Sequence, residues 1–464
     1  MPDAVAVAVN GQRPHLVRAL NVHHATAVVV GTVIGSGIFL VPAEMMKALG
    51  SSGTVYLAWA VGAVLSLFGA LTYAELAALK PQTGGEYVYM RDGYGPLGGF
   101  LYAWTYFVIA KPGSMATIAT GLVRVLSRFD ALSFLGYTVA DTWHPSRRGQ
   151  ALAIAAVVFV SFINYIGVKR AGAFQLLFTL LKVAIVLAVV AIGFSYTGGV
   201  LGNFATVYPA ATGGFAGFMV ALVAALWAYD GWNLVTQISG EIKQPERNLP
   251  IALIAGVATV AGLYMAVNAA VQYVMPAAGV VASPSPALDA IRWVAQTKTG
   301  AAGFGVILIG MALSMLATLN GSTMTGARVP FAVAQDRYFF ARLADVHPRF
   351  HTPSTSIVVQ GVLAVVMLLF AGTFQQLFSL TLFAEWLFYL LCAASVFIFR
   401  AREPDAPRAY KTWGYPLVPA LFVACAAVLL FYTFKQNLWS SIAGSLVILA
   451  GVPVFWGFAK KRIA

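Results

Sequence analysis

Gly31-Thr32-Val33-Ile34-Gly35-Ser36-Gly37-Ile38-Phe39 places three glycines inside an apolar stretch that runs from Thr26 to Met46. A helix crossing hydrocarbon has to keep its backbone paired, because each unpaired N–H or C=O costs several kcal/mol there. Irregular backbone is tolerated only where it lines a protein cavity. The stretch therefore predicts a helix broken in mid-membrane, with freed amides and carbonyls available to a ligand. A second apolar stretch, Phe215 to Glu241, breaks alike at Trp227-Ala228-Tyr229-Asp230-Gly231-Trp232. Two broken helices facing each other near the midplane are what a secondary transporter needs, so the pair implies a solute carrier.

Composition supports that class. The chain has 464 residues, 60% hydrophobic and only 10% charged, with a mean hydropathy of +0.80, which excludes a soluble domain of this size. A spanning helix takes about 20 apolar residues, and twelve stretches qualify: 24–47, 53–79, 97–123, 150–168, 172–194, 214–240, 250–274, 302–327, 355–372, 376–399, 415–433 and 438–459. The breaks fall in the first and sixth, five spans apart, which is the signature of an inverted repeat. The expected fold is an all-α membrane protein with twelve transmembrane helices in a 5+5 inverted repeat, discontinuous in helices 1 and 6. Residues 1–23 read as a cytoplasmic segment without a removable signal peptide. Residues 24–399 form the transport core, 400–459 hold peripheral spans 11 and 12, and 460–464 are a cytoplasmic tail.

A net charge of +13 would suggest nucleic acid in a soluble protein, but here the placement of the charges matters more. With both termini inside, nineteen Lys and Arg fall on the cytoplasmic side and eight outside, and Lys111 and Lys182 lie within spans. The excess fits an even number of spans. The 124–149 loop works against it, holding four of the eight outer charges. Segments 80–96 and 328–353 interleave charges with aromatics and read either as interfacial helices or as plain loops; 284–298 is amphipathic enough to cap the outer face. All six histidines lie at or beyond the ends of the spans, and no HExxH, P-loop or CxxC occurs. No metal or cofactor is expected, and Cys392 and Cys425 read as packing thiols.

At the first break, the backbone N–H groups of Ser36, Gly37 and Ile38 would open a half-helix and seat a carboxylate. A helix-packing face built on Gly31 and Gly35 is the competing explanation, and the matching break at 229–232 favours the site. Asp230 at mid-span costs ~2.5–3.5 kcal/mol even on the insertion scale. Trp227 and Trp232 flank it, Trp227 either closing over a solute or packing between helices, and Asn233 could orient polar groups. Lys182 needs several acceptors inside the fifth span. Glu385 is a second mid-membrane carboxylate, placed to pair with Lys111 or face the vestibule. Glu75 reads as a structural hydrogen-bonding group.

Beyond single residues, Gly31-Thr-Val-Ile-Gly-Ser-Gly-Ile-Phe39, Tyr73-Ala-Glu-Leu-Ala77, Pro81-Gln-Thr-Gly-Gly85, Trp227-Ala-Tyr-Asp-Gly-Trp-Asn233 and Glu241-Ile-Lys-Gln-Pro-Glu-Arg-Asn-Leu-Pro250 resemble the L-type amino acid transporter family of the amino acid-polyamine-organocation superfamily, in its bacterial members. Lys111-Pro-Gly-Ser114, Asn320-Gly321 and Arg328 are similar too, and the likeness runs from about residue 20 to 462. It implies a substrate carboxylate on the backbone of Ser36, Gly37 and Ile38, and an amino group on the carbonyls of Val33, Trp227 and Asp230. Trp227 would be the occluding gate, and Ser114 and Asn233 would border the side-chain pocket. Lys182 would occupy the space of a sodium ion in sodium-coupled relatives, on carbonyls of the first and eighth spans. Asp230 stands where many members have a small residue, and Glu385 is not expected from the family.

The resulting expectation is a sodium-independent L-amino acid exchanger of neutral substrates, working by alternating access in the cytoplasmic membrane. A proton-coupled symporter using Lys182 or Glu385, and a carrier preferring cationic amino acids, are alternatives within the class. A membrane-embedded enzyme with Asp230 and Glu385 as an acid-base pair, or a polytopic sensor, stand outside it; no nucleophile or metal set supports the enzyme. The lipid bilayer and the amino acid substrate are the expected partners. Animal relatives of this family couple to a glycoprotein through a cysteine after the third span. Residues 124–149 contain none, so no disulfide-linked heavy chain is expected.

Overall fold

The computed structural model describes residues 15–463 apart from 36, 140–141, 284, 299, 371–373 and 437. Helix dominates it. In order come α1 (Val22–Val33), α2 (Gly37–Leu49), α3 (Ser52–Leu79), α4 (Glu86–Tyr94), α5 (Pro96–Thr105), α6 (Lys111–Leu126), α7 (Arg147–Tyr165), α8 (Val168–Phe194) and α9 (Gly214–Ala228). After a 3-10 segment at Trp232–Glu241 follow α10 (Pro245–Val274), α11 (Ala277–Ala282), α12 (Pro286–Lys298), α13 (Gly300–Gly326), α14 (Arg328–Gln335), α15 (Ser354–Phe370), α16 (Phe374–Arg402), α17 (Leu417–Gln436) and α18 (Leu438–Ile463). Seven of the described helices are long and apolar enough to cross a membrane, and Val22–Val33 and Ser354–Leu369 are shorter apolar ones.

Both expected breaks are present. α1 ends at Val33 and α2 starts at Gly37, so the first apolar stretch is two half-length helices; α9 stops at Ala228 and continues as the tighter 3-10 segment. The third stretch holds an interruption that the sequence reading ran through as one span. Between α5 and α6 lies a π-turn, Tyr106–Ala110, in which the Lys111 N–H donates five residues back to the Tyr106 carbonyl. Pro112 has no N–H and so removes the ordinary bond to Val108, and the widened turn swings Lys111 to a new azimuth.

The connections resolve two open readings. Segment 80–96 forms the helix α4, and 328–353 contains α14, so both are helical rather than plain loops. The loop after α6 holds what an all-helical expectation omits: a two-stranded hairpin, β1 (Gly136–Val139) and β2 (Thr142–Pro145), antiparallel with Tyr137 opposite His144. Its alternating short run was too brief to carry a periodic signal.

Around the breaks the helices pack as a bundle: α1 lies against α8, α10 and α13, and α9 against α2 and α3. One contiguous apolar core joins them. Small residues allow the closest approaches. A side chain at Gly31 would come within 2.3 Å of Gln175 and Thr179 of α8, and one at Gly321 within 2.7 Å of Thr32, so α1 is clasped by α8 and α13. Apolar side chains such as Leu177, Leu180 and Leu187 on α8 and Leu446 and Leu449 on α18 remain exposed, as expected of surfaces that face hydrocarbon.

Candidate functional site

Where α1 breaks, the freed carbonyls of its last turn need new donors. Val30 takes the N–H of Ile34 at 3.0 Å. Lys182, fully buried on α8, donates its ammonium to the Gly31 carbonyl (2.7 Å), the Ile34 carbonyl (2.5 Å) and the Thr318 hydroxyl (2.9 Å). Three protons thus meet three acceptors, which is the full capacity of a lysine. The expected tie between the first, fifth and eighth stretches is there, with one correction: the eighth contributes a hydroxyl of α13 instead of a carbonyl. The ammonium is buried at the break itself, held by these three acceptors.

Val33 carries the last carbonyl of α1, and Ala228 the last of α9. Both point at one phenol, the Tyr264 hydroxyl of α10, at 3.0 Å each. Its single proton is shared between them, so one buried residue couples the two broken helices. A second link is direct: the Thr32 hydroxyl donates to the Gly231 carbonyl at 3.0 Å. Gly231 has φ +102°, left-handed backbone that a β-branched or bulky residue would strain, and the reversal turns the chain from α9 into the 3-10 segment.

Gly37 opens α2 with its Cα against the end of α9. A Cβ there would lie 3.0 Å from the Ala228 Cα and 3.7 Å from the Trp227 ring, whereas at Gly35 the nearest atom would be 3.9 Å away. Packing therefore accounts for Gly31, close approach between the two breaks for Gly37, and open space surrounds Gly35. Ile38 is buried beside Gly37 and Trp227 is half-buried. Ser36 lies outside the described residues.

Beyond the second break a polar network runs inward. The Tyr389 hydroxyl of α16 lies 2.9 Å from Asp230 Oδ1 and 3.2 Å from Asn233 Oδ1. The Asn233 amide donates in turn to the Glu86 carboxylate of α4, which also accepts from Gln237 (3.2 Å) and Tyr102 (3.0 Å). Glu385, half-buried, lines a small cavity with Glu86, Thr105, Tyr106, Asn233 and Tyr389; its ≈ 10 Å³ is about the space of one water. Lys111 does not form an ion pair with Glu385. Its ammonium donates to Ser322 of α13 at 3.1 Å and sits 5.2 Å from the Tyr106 ring centre, within electrostatic reach of Glu385, Asp230 and Glu86. Ser114 follows one turn later on α6 and is half-buried.

The amino acid permease family model matches residues 20–453. The chain belongs to the amino acid permease family. Three relatives give the scale of similarity. A serine/threonine exchanger of Bacillus subtilis is 32% identical across 94% of this chain and 96% of its own length. The b(0,+)-type amino acid transporter 1 of Homo sapiens is 28% identical across 96% and 89%, and the human cystine/glutamate transporter 27% across 96% and 86%. The permease is thus an amino acid transporter of the amino acid-polyamine-organocation superfamily and not an enzyme.

Sequence reasoning missed several residues that hold the permease's centre together. Tyr264 is a lone hydroxyl in the apolar run Val260-Ala-Gly-Leu-Tyr-Met265, and that polarity was its only signal. Glu86 was read as part of a surface segment, yet it is fully buried. Arg328 and Glu241, counted merely as charge and motif, form a fully buried bidentate pair at 2.7 and 2.9 Å between the 3-10 segment and α14. Glu75 does what was expected of it, accepting two bonds from Arg400 and one from the Thr412 N–H. Every ion pair among the described residues falls on this one end of the bundle, including Lys80 with Glu403 and Arg91 with Asp336.

Proposed function

We propose that this permease exchanges small neutral L-amino acids across the cell membrane by alternating access, without sodium. Its twelve spans would form a 5+5 inverted repeat over 24–399 with 400–459 peripheral and both termini in the cytoplasm. The substrate carboxylate would sit on the N–H groups of Ser36, Gly37 and Ile38 at the start of α2. Its ammonium would take the carbonyls of Trp227 and Asp230 and the second lone pair of Val33. Trp227 would close over it, with Ser114 and Asn233 bounding the side-chain pocket. The observation that carries this reading is the meeting of the two breaks: Gly37 abuts Ala228 and Trp227, and Tyr264 spans Val33 and Ala228.

Neutral substrates are favoured because Tyr389 engages the Asp230 side chain, so the backbone at 230 is what remains for the solute. Similarity to a serine/threonine exchanger points the same way. Lys182 supports a cycle without sodium, since its ammonium holds acceptors that a bound cation would need. The cytoplasmic placement of the termini is supported by the charge excess and by the ion pairs that seal the same end.

The test is reconstitution into liposomes with labelled serine. Uptake should require internal amino acid and be unchanged when choline replaces sodium. Gly37→Leu should abolish binding in a protein that still purifies as a monodisperse species, and Gly37→Ala should reduce it. Wild-type affinity in Gly37→Leu would overturn the site, and uptake into vesicles empty of amino acid would favour proton symport through Glu385.

A further inference from the structure

On the outer surface of the bundle, α7 and α15 run antiparallel and leave a groove of ≈ 470 Å³ between them. Val157, Val158 and Phe162 on α7 line it together with Val358, Val362 and Val366 on α15, which recur every fourth residue. Midway the two helices are pinched together, since a Cβ at Gly361 would lie 3.0 Å from the Ser161 hydroxyl. Phe162 is 60% exposed and Val362 55%, so a continuous apolar trough stands open. From Val157 to Tyr165 it extends about 12 Å at 1.5 Å per residue, close to half of a hydrocarbon core of about 30 Å. It is therefore one leaflet deep.

The groove ends at Tyr165, and there the chemistry changes. The Tyr165 ring stacks edge-on to His347 (5.3 Å) and Phe350 (6.0 Å). Two residues on, Gly167 faces the Phe350 carbonyl and the Arg170 guanidinium rests on the Ile166 carbonyl at 3.4 Å. Lys169, Arg170 and Arg349 are all exposed at this corner, and none is within 4.0 Å of a described carboxylate. Asp345 is the acidic group in the adjoining turn, also exposed. On the same end Lys80, Arg91, Arg328, Arg400 and Arg408 are matched by carboxylates, whereas Lys169, Arg170 and Arg349, like other exposed Lys and Arg there, have no carboxylate partner and can take an external anion.

We infer that this groove binds an anionic diacyl phospholipid, with one acyl chain lying along the valine walls and its phosphate held by Arg170, Lys169 and Arg349. An apolar trough of single-leaflet depth that terminates in unpaired cations at the headgroup level matches such a lipid in both halves. The site lies on the side of α7 and α15 away from the broken helices. It rests on the membrane location of the chain and not on the proposed substrate.

Native mass spectrometry of the full chain in detergent tests it, with phosphatidylglycerol and phosphatidylcholine of identical acyl chains titrated in parallel. Wild-type protein should retain phosphatidylglycerol in preference. Arg170→Gln and Arg349→Gln, on exposed side chains that do not threaten folding, should each weaken that retention by about fivefold and leave phosphatidylcholine unchanged. Val362→Trp, which fills the trough, should lower both. Equal retention of the two lipids by the wild type, or a preference that survives both charge substitutions, overturns the inference. So does efficient cross-linking of Val362→Cys chains to one another in vesicles, which would make a second copy the occupant. Serine exchange by the same variants is read separately: lost exchange with lipid retention intact would count against the substrate reading and leave the lipid site standing.

Discussion

Among the described residues two lysines are buried in this permease, and their surroundings differ. Lys182 meets three acceptors, two of them backbone carbonyls that the break in α1 had orphaned, and no carboxylate is nearby. Lys111 meets one hydroxyl and a tyrosine face, and three carboxylates lie within its electrostatic reach. The first is saturated by neutral dipoles and behaves as a fixed pin across α1, α8 and α13. The second balances charge in a cavity that borders the second break. Burial alone would have given both the same part; the identity of the acceptors separates them.

The comparison breaks most visibly at Lys182. Lys182→Met keeps the apolar volume and removes the donors, which leaves the Gly31 carbonyl to the Thr318 hydroxyl at 3.2 Å and the Ile34 carbonyl to the Thr318 and Ser314 hydroxyls at 3.3 and 3.5 Å. Each unsatisfied acceptor costs roughly 1–3 kcal/mol. Serine exchange should fall by more than about tenfold at saturating substrate, with a smaller change in apparent affinity. An unaltered maximal rate would show that the pin is dispensable. Tyr264→Phe should come next in size. It removes one shared proton from two carbonyls and should cost about 1–3 kcal/mol, read as a drop in thermal stability together with slower exchange. Stability lowered with exchange intact would make Tyr264 a packing residue only.

How much of this was legible follows from where each signal lives. The breaks were readable because glycines in an apolar run violate backbone pairing, a rule local to a dozen residues. Lys182 and Asp230 were readable because a charge at mid-span is costly wherever its partners lie. The partners themselves are distant in sequence: Tyr264 meets Val33 231 residues away, and Asn233 meets Glu86 147 residues away, and no periodicity links such pairs. The π-turn before Lys111 has a local cause in Pro112, but its effect, the turning of Lys111 toward Ser322, depends on α13. Glu86 drew no reading of its own, because segment 80–96 reads as an interfacial helix or a loop, whereas the network from Asn233, Gln237 and Tyr102 satisfies its carboxylate inside.

Lys111 sharpens the comparison through selectivity instead of rate. If it balances Asp230, Glu86 and Glu385, then Lys111→Met leaves their charge uncompensated and the cavity becomes more attractive to cationic side chains. A unit charge roughly 8 Å away at an effective dielectric of 20 is worth about 2 kcal/mol, so inhibition of serine exchange by arginine should strengthen by up to roughly thirtyfold. Lys182→Met should show no such gain, because its ammonium has no carboxylate to release. The smallest effect belongs to Glu385→Gln in the otherwise unchanged protein. With Lys111 present, removing one carboxylate makes the cavity more positive, so arginine should compete slightly less well while serine, alanine and leucine compete as before. Competition by serine, alanine, leucine, lysine and arginine against one labelled substrate reads all three variants on the same scale. Strong arginine inhibition in the wild type that disappears in Glu385→Gln or Asp230→Asn would show that these carboxylates face the solute. The permease would then be a carrier of cationic amino acids, with Lys111 setting only how tightly they are held.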